Sequence, residues 1–282
     1  MTASEFHWKS SDGIKIYGKS WSPDTEVHGV VCLVHGMGEH INRYEPLANY
    51  LGQHGYAVIG FDHRGHGKSE GKRGHTPSYK NLLEEVDELL NKAQEIFPEV
   101  PQVLYGHSMG GNVVANYVID WQPTIAGAIL SSPWLRLAFE PPALQVKLAR
   151  VVRGILPSFT QSTKLDATAI SRIPEEVQKY VDDPLVHDKI SVQMFLSINE
   201  QGAFALQNAA EFHLPLLMFH GTADRLTSVE ATREFAKSIK ERVTLRIFEN
   251  AYHEIHNDLP RFELFELIKT WLDHTIKPDK EE

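Results

Sequence analysis

One short segment constrains the fold of this chain more than any other, the run VLYGHSMGGNVV at positions 103–114. An apolar, β-prone stretch ends there in the pattern Gly-x-Ser-x-Gly, and helix-forming residues follow at once. This order predicts a sharp strand-to-helix turn that holds the hydroxyl of Ser108 above the end of a parallel sheet. Gly106 and Gly110 suit the turn, because a Cβ at either position would crowd the neighbouring strand or helix. We therefore expect Ser108 to be a nucleophile.

Strand and helix patterns alternate on both sides of this segment. A hairpin is expected at the start of the chain, from Glu5–Lys9 and Ile14–Trp21 around Ser11-Asp12-Gly13. The predicted strands that follow are Val30–Val34, Ala57–Phe61, Val103–Tyr105, Ile125–Leu130, Leu216–Phe219 and Val243–Phe248. The predicted helices are Tyr44–Leu51, Leu82–Phe97, the run from Ser108 to about Trp121, Val229–Glu241 and Arg261–Trp271. Continuous apolar strands separated by amphipathic helices predict an α/β fold, with a mostly parallel sheet covered on both faces.

The alternation stops after Pro133 and returns near Leu206. This helical, proline-punctuated stretch predicts a cap at residues 134–205, inserted into a core formed by 1–133 and 206–282. Such a cap would lie over the carboxyl ends of the strands, where open α/β sheets bind ligands. Residues 277–282 have the composition of a disordered tail.

Within the cap, the segment Leu144–Leu156 has an amphipathic pattern. Its apolar residues fall at helical spacing on one face: Leu144, Leu148, Val151, Val152 and Ile155. Its basic residues lie on the other face, and no acid occurs between Glu140 and Asp166: Lys147, Arg150 and Arg153. Two interpretations stay open. The apolar stripe packs on the core with the basic face in water, or the helix lies on a lipid surface.

Composition excludes several classes of protein. The 282 residues carry a formal net charge of −9, which disfavours nucleic acid as a partner. The single cysteine, Cys32, excludes an internal disulfide framework and, within an apolar strand, is expected to be a buried structural thiol. No secretory leader and no apolar run of about 20 residues is visible. These features predict a cytoplasmic protein, with peripheral membrane attachment through the cap left open and no indication of oligomeric state.

A serine hydroxyl needs a base to take its proton, and the base needs an acid to orient it. In this topology the acid and then the base follow the serine, each on a loop after a strand. Asp224 follows the strand Leu216–Phe219, and His253 follows the strand Val243–Phe248. His256 competes for the role of base but lies three residues further from the strand end. We therefore expect Ser108, Asp224 and His253 to form a catalytic triad.

The predicted reaction needs an oxyanion hole but no metal or cofactor. One backbone N–H should come from Met109, which follows the nucleophile, and the other from Met37 in the loop His35-Gly36-Met37-Gly38. The run His253-Glu254-Ile255-His256 misses the zinc motif His-Glu-x-x-His by one residue, and no third ligand is evident.

With these motifs the chain resembles monoacylglycerol lipases and related lysophospholipases, which are α/β-hydrolases. The motifs that carry the resemblance span nearly the whole chain: HGMGEH at 35–40, FDHRGHGKSEG at 61–71, GHSMGG at 106–111, DPL at 183–185, GTADR at 221–225 and AYH at 251–253. The resemblance implies the same triad, oxyanion donors at Met37 and Met109, a lid-like cap, and hydrolysis of single-chain acyl esters without a cofactor.

Position and resemblance together suggest a polar corner for the alcohol part of the ester, formed by Glu39, Arg43 and His256. The alternative for Glu39 and Arg43 is a charge pair at the start of a helix, with no role in binding.

We therefore expect a serine carboxylester hydrolase that acts on a small lipid ester, a monoacylglycerol. A lysophospholipase or a general carboxylesterase with the same triad is the main alternative. A peptidase is less favoured because nothing in the sequence marks a site for a free α-amine. A non-catalytic binding protein on this fold is a remote alternative, since such a protein need not keep the triad.

Overall fold

The computed structural model describes residues 1–276, so the tail predicted at 277–282 lies outside the described residues. Within this range the strands are Thr2–Lys9 (β1), Lys15–Ser22 (β2), Gly29–Val34 (β3), Tyr56–Phe61 (β4), Gln102–His107 (β5), Gly127–Ser131 (β6), Thr160–Ser162 (β7), Lys189–Ser191 (β8), Leu216–Gly221 (β9) and Val243–Phe248 (β10). The α-helices are Glu45–Gln53 (α1), Tyr79–Ile96 (α2), Met109–Trp121 (α3), Ala143–Ile155 (α4), Pro174–Asp182 (α5), Val192–Gln207 (α6), Val229–Ile239 (α7) and Arg261–Ile276 (α8).

Eight of the strands form one twisted sheet in the order β1-β2-β4-β3-β5-β6-β9-β10. Six neighbouring strands run parallel: β4, β3, β5, β6, β9 and β10. Strands β1 and β2 form the hairpin at the edge, where β2 pairs antiparallel with both β1 and β4. The strand that leads to Ser108, β5, lies between β3 and β6 near the middle of the sheet. The mostly parallel α/β sheet predicted from the sequence is confirmed.

Helices cover both faces of the sheet. Successive residues of each central strand point to opposite sides, and in these strands the side chains on both sides are apolar. Cys32, Leu104 and Met218 face the layer that contains α2, α3, α6 and α7. Leu33 and Tyr105 face the opposite layer, which contains α1 and α8. All five side chains are fully buried, so the strands are apolar on both faces rather than alternating. Cys32 is the buried thiol expected, and burial raises its pKa.

The loop from Asp62 to Gly71 braces the edge of the sheet beside the site. The Asp62 carboxylate accepts the backbone N–H groups of Ile41 and Lys68, at 2.9 and 2.8 Å. The guanidinium of Arg64 bonds the buried carboxylate of Glu85 on α2 at 2.6 Å. These contacts tie the loop to neighbouring elements, as expected of a structural loop.

The chain between β6 and β9 contains the helices α4, α5 and α6 and the short antiparallel ribbon β7-β8. Helix α6 is partly buried and packs against α3, so its layer is continuous with the core. Helix α4 packs against α6 and has no buried side chain. None of the helices within residues 1–276 is both long and apolar enough to cross a membrane.

Four of the five residues predicted to form the apolar stripe of α4 face away from the protein, and the fifth, Val152, is half-buried. Leu144, Leu148, Val151 and Ile155 are 79%, 61%, 61% and 80% exposed. The interpretation that this stripe packs on the core is therefore wrong. Periodicity identified the residues that share a face, but it could not tell which face the rest of the chain would cover. The residues of α4 that line a cavity on the other side are instead Gln145, Val146 and Ala149.

Candidate active site

Ser108 lies at the turn between β5 and α3 with an unusual backbone conformation, φ 53° and ψ −114°. The turn depends on close backbone approach at its two glycines. A Cβ on Gly106 would lie 2.5 Å from the carbonyl oxygen of Gly110, and a Cβ on Gly110 would overlap the carbonyl oxygen of Val34 on β3. A left-handed conformation at a serine costs free energy and is typical of functional sites. The expected strand-turn-helix geometry is present, with Ser108 at its apex.

The predicted acid and base meet on loops that follow neighbouring strands. Asp224 follows β9 and His253 follows β10, and these two strands pair in parallel. The Nδ1 of His253 lies 2.7 Å from the Asp224 Oδ2 atom. The other carboxylate oxygen, Oδ1, accepts the backbone N–H groups of Leu226 and Thr227 at 2.7 and 3.1 Å. Asp224 is thereby fixed in one orientation, with one oxygen directed at the histidine.

Charge separation in this pair is favoured despite burial. Burial opposes ionisation of Asp224, but His253 and His220 outweigh it and hold the pKa of the carboxyl well below its usual value. Burial likewise works against the imidazolium form of His253, and Asp224 overcomes it, so the pKa of His253 lies above its ordinary value. The arrangement therefore stabilises His253 as it gains a proton, which is what a base in acyl transfer requires.

The pH dependence of hydrolysis should follow this raised pKa. Only neutral His253 can accept the serine proton, so kcat/KM should rise with pH and reach half its plateau above pH ~6.5. Asp224→Asn removes the charge that raises the pKa, so the acidic limb should move to lower pH while the plateau falls about 10⁴-fold. Initial rates on a soluble ester from pH 5 to 9 measure both effects. An acidic limb that stays in place in Asp224→Asn would contradict this assignment of the acid.

The two predicted oxyanion donors flank the nucleophile. Met109 is the first residue of α3, where backbone N–H groups have no partner within the helix. Met37 follows Gly36, and a Cβ on Gly36 would lie 3.2 Å from the Cβ of Ser108. The loop is held in place because the Gly36 N–H donates to the Glu39 carboxylate at 2.7 Å. The backbone of the loop thus lies directly beside the serine.

The predicted polar corner contains a buried ion-pair network. The guanidinium of Arg43 bonds both oxygens of Glu254 at 2.6 Å and one oxygen of Glu39 at 2.9 Å. Tyr44 donates its hydroxyl to the other oxygen of Glu39 at 2.8 Å. Despite burial, Arg43 lowers the pKa of Glu254 to about 2. Burial raises the pKa of Glu39, and the charge of Glu254 adds to this against the pull of Arg43.

His256 packs against Tyr44, a member of this network. Its ring stacks on Tyr44 with centroids 4.6 Å apart, and lies edge-on to His107 at 4.9 Å. Burial lowers the pKa of His256 to about 3, so the ring is neutral at physiological pH. His107 is itself buried, with Nδ1 2.9 Å from the Ser131 hydroxyl.

A cavity of about 440 Å³ joins these elements. Ser108, His253, Glu39 and Glu254 line one end of it. Apolar side chains, mostly from the chain between β6 and β9, line much of the remainder, among them Trp134, Leu137, Phe139, Val146, Leu165 and Phe195. Polar and charged side chains also contribute, including Gln161, Lys164, Asp166 and Arg225. Of the predicted polar corner only Glu39 is on the cavity wall, since neither Arg43 nor His256 is among the residues that line it. This volume and lining suit a small ligand with an apolar body and one polar end.

Sequence reasoning did not identify three residues of the site. Glu254 directly follows the predicted base but pairs with Arg43, 211 positions away, and no local pattern reveals such a contact. Thr227 donates its hydroxyl to Asp224 at 2.9 Å, and His220 approaches the same carboxylate at 3.0 Å. Both lie within four residues of Asp224, so proximity in sequence was the only available signal.

Comparison with known proteins gives a consistent result. A model of the family described as serine aminopeptidase, S33, matches residues 25–260. A monoacylglycerol lipase from Mycolicibacterium smegmatis is 33% identical over 273 residues, covering 96% of this chain and 97% of that protein. The crystal structure of the Paleococcus ferrophilus monoacylglycerol lipase is 35% identical with a TM-score of 0.82, covering 96% of this chain and 98% of that chain.

A third relative is much longer than this chain. An abhydrolase domain-containing protein from Dictyostelium discoideum is 33% identical over 287 residues, and the match spans 30% of its length. The extent of the matches, over nearly all of this chain, shows both fold and family. The chain belongs to the serine aminopeptidase S33 family and is an α/β-hydrolase-fold serine hydrolase similar to monoacylglycerol lipases.

Proposed function

We propose that the protein hydrolyses monoacylglycerols, with Ser108 as nucleophile, His253 as base and Asp224 as the acid that orients it. The observation that carries the proposal is the cavity, whose wall contains Ser108 and His253 together with many apolar side chains and the two carboxylates of Glu39 and Glu254. The family relationship supports it, because two of the similar proteins are monoacylglycerol lipases.

In the proposed reaction the Ser108 hydroxyl attacks the ester carbonyl and His253 takes its proton. The negative charge on the carbonyl oxygen is stabilised by the backbone N–H groups of Met37 and Met109. His253 then returns the proton to the departing glycerol oxygen, leaving an acyl-enzyme. Water, activated by the same histidine, releases the fatty acid and restores Ser108. Asp224, at 2.7 Å from Nδ1, stabilises the imidazolium in both halves of the reaction.

The polar end of the cavity favours glycerol over a phosphorylated head group. The carboxylate oxygens of Glu39 and Glu254 accept hydrogen bonds, so they suit the hydroxyl donors of glycerol better than the acceptor oxygens of a phosphate. Each carboxylate accepts three hydrogen bonds from protein groups, for Glu39 from Gly36, Tyr44 and Arg43. A carboxylate has about four acceptor positions, so Glu39 and Glu254 each keep about one. Two free acceptors match the two hydroxyl donors of a monoacylglycerol. We propose that Glu39 and Glu254 form the alcohol subsite. Arg43 and His256 do not line the cavity, and they hold the subsite in place through Glu39, Glu254 and Tyr44.

Aminopeptidase activity is the second candidate, since the matched family carries that description and an ammonium group could also bind the two carboxylates. Side-by-side values of kcat/KM on a monoacylglycerol, the lysophosphatidylcholine with the same acyl chain, and an amino-acid p-nitroanilide separate the candidates. We expect the monoacylglycerol to be hydrolysed fastest and the anilide not at all. A higher kcat/KM on either competitor would overturn the proposed substrate.

We further propose that residues 134–205 form a cap whose helix α4 docks on anionic lipid surfaces. The exposed stripe of α4 is apolar, and Lys147 and Arg150 are exposed beside it. Arg153 is instead paired with Glu200 on α6 at 2.8 Å. A helix with an apolar face and only basic charge is suited to the interface of an anionic membrane. Because its inner face lines the cavity, docking would bring the site to esters dissolved in the lipid.

Reversing the two exposed charges should weaken this docking. Lys147→Glu with Arg150→Glu should lower binding to vesicles containing anionic lipid at least about tenfold at low salt, because each basic residue near such a surface contributes about 1 kcal/mol. The loss should shrink as salt screens the interaction. Hydrolysis of a short soluble ester should be unchanged. The matched control is Arg233→Glu with Lys237→Glu on the exposed side of α7. Equal co-sedimentation of both double variants would refute docking through α4.

A further inference from the structure

A second histidine, His220, contacts the acid of the proposed triad. His220 is the penultimate residue of β9 and is fully buried. Its Nε2 lies 3.0 Å from the Asp224 Oδ2 atom and 3.2 Å from the Thr227 carbonyl oxygen. Its Nδ1 lies 2.7 Å from the hydroxyl of Thr232 on α7. Both ring nitrogens therefore have partners inside the protein.

These contacts determine which nitrogen of His220 carries the proton. The two nearest neighbours of Nε2, the Asp224 carboxylate oxygen and the Thr227 carbonyl oxygen, can only accept a hydrogen bond. The Thr227 hydroxyl lies farther from Nε2, at 3.4 Å, and has nearer acceptors in Asp224 Oδ2 at 2.9 Å and the Ser132 carbonyl oxygen at 3.1 Å, so Nε2 is the donor. The neighbour of Nδ1 is the Thr232 hydroxyl, which can donate to it. The neutral ring with its proton on Nε2 satisfies every contact without placing a further charge in the core. Thr232 thus selects the form of His220 that donates to Asp224.

The Oδ2 atom of Asp224 is the oxygen that His220 and His253 share. It is approached by His253 Nδ1 at 2.7 Å, by the Thr227 hydroxyl at 2.9 Å and by His220 Nε2 at 3.0 Å. We propose that His220 is a positioning residue, whose Nε2–H holds Oδ2 towards His253 and shares its negative charge. This inference rests on the proposed role of Asp224 as the acid of the triad. It links Thr232 on α7 through His220 and Asp224 to the base.

Two substitutions at His220 separate donation from packing. His220→Leu keeps an apolar body but removes the donor, and should lower kcat on a soluble ester by about 10-fold to 100-fold, the usual range for a hydrogen bond to a charged group. KM should stay within about twofold, because His220 does not line the cavity. His220→Gln can present an amide N–H near the position of Nε2 and should recover most of the lost kcat.

Thr232 provides a matched pair that leaves the strand untouched. Thr232→Val removes the hydroxyl that bonds Nδ1 and so weakens the orientation of the ring that donates to Asp224. Its kcat should fall several-fold, as expected for a weakened hydrogen bond, while Thr232→Ser keeps the wild-type value. This pair also decides the question if His220→Leu fails to fold. Equal kcat values in Thr232→Val and Thr232→Ser would then overturn the proposal.

The pH profile gives a readout that a merely structural role would not produce. Loss of the His220 donor leaves more charge on Oδ2 for His253, so the acidic limb should move to higher pH, opposite to Asp224→Asn. The other groups that face His253 stay the same in these variants: Thr227, His107, whose ring centroid is 4.8 Å away, and the charges of Glu254 and Glu39. A limb that moves to lower pH would show that Asp224 had merely been displaced.

A double-mutant cycle completes the test. If His220 acts through Asp224, His220→Leu should cost little further activity in an Asp224→Asn background. The same loss in both backgrounds, or a folded His220→Leu enzyme with wild-type kcat, would overturn the proposal. Ser108→Ala keeps this result separate from the proposed function. An active Ser108→Ala enzyme would reject the triad itself, whereas an inactive one with an unchanged His220→Leu rate would reject only the role of His220.

Discussion

Replacing Ser108 with alanine should lower kcat for ester hydrolysis by about 10⁶-fold, the usual cost of removing the nucleophile of a serine triad. The substitution removes the attacking oxygen but keeps the backbone contacts of the turn, such as the bond from the Ser108 N–H to the Ser131 carbonyl oxygen at 2.9 Å. Circular dichroism and the melting temperature should therefore match those of the wild type. Rates on a p-nitrophenyl ester and on a monoacylglycerol measure the loss.

A second buried serine serves as the control for this prediction. Ser197 on α6 is buried away from the proposed chemistry, and Ser197→Ala should keep the wild-type rate. A folded Ser108→Ala protein that retained more than a few per cent of activity would show that another residue is the nucleophile.

Removing the base should be as damaging as removing the nucleophile, while removing its histidine neighbour should not. His253→Ala should lower kcat by about 10⁶-fold on every ester, because each one needs a proton acceptor. His256→Ala should be much milder, because that ring does not line the cavity and reaches the site only indirectly, through Tyr44, which donates to Glu39, and through His107. Its effect should be larger for a monoacylglycerol, which has hydroxyls for Glu39 to bind, than for a p-nitrophenyl ester.

Comparing the two substrates in both histidine variants therefore tests the assignment. Equal and severe loss on both esters in His256→Ala would transfer the role of base to His256 or make that ring essential for folding. Retention of the p-nitrophenyl activity in His253→Ala would exclude His253 as the base.

The fold and the proposed triad were accessible from the sequence because both depend on local patterns and chain order. Each of the strands β3 to β6 is a short, mostly apolar run in the sequence, and helical patterns separate β3, β4, β5 and β6 from one another. In a parallel sheet all carboxyl ends lie at one edge, so loops after different strands meet there. Asp224 and His253 could therefore be placed together without knowing any distance, and the structure gives 2.7 Å between them.

The remainder of the site depends on contacts between segments that are distant in sequence, and on which face of a helix the rest of the chain covers. The pairing of Arg43 with Glu254 joins the segment that follows the loop at 35–38 to the loop that carries His253, and neither segment alone indicates it. The pattern of α4 identified an apolar stripe, but only tertiary packing decided that Leu148 and its neighbours face outward. Likewise, His220 near Asp224 was visible in sequence, but its proton position follows only from the contact with Thr232.

Covalent labelling with a fluorophosphonate tests the central claim most directly. Such probes react with a serine only when it is activated by a base within an oxyanion hole. We expect one label per chain on the peptide that contains Ser108, identified by mass spectrometry, with ester hydrolysis lost in proportion to labelling and no label in Ser108→Ala. An active enzyme that stays unlabelled, or a label on a different serine that tracks the loss of activity, would contradict the account.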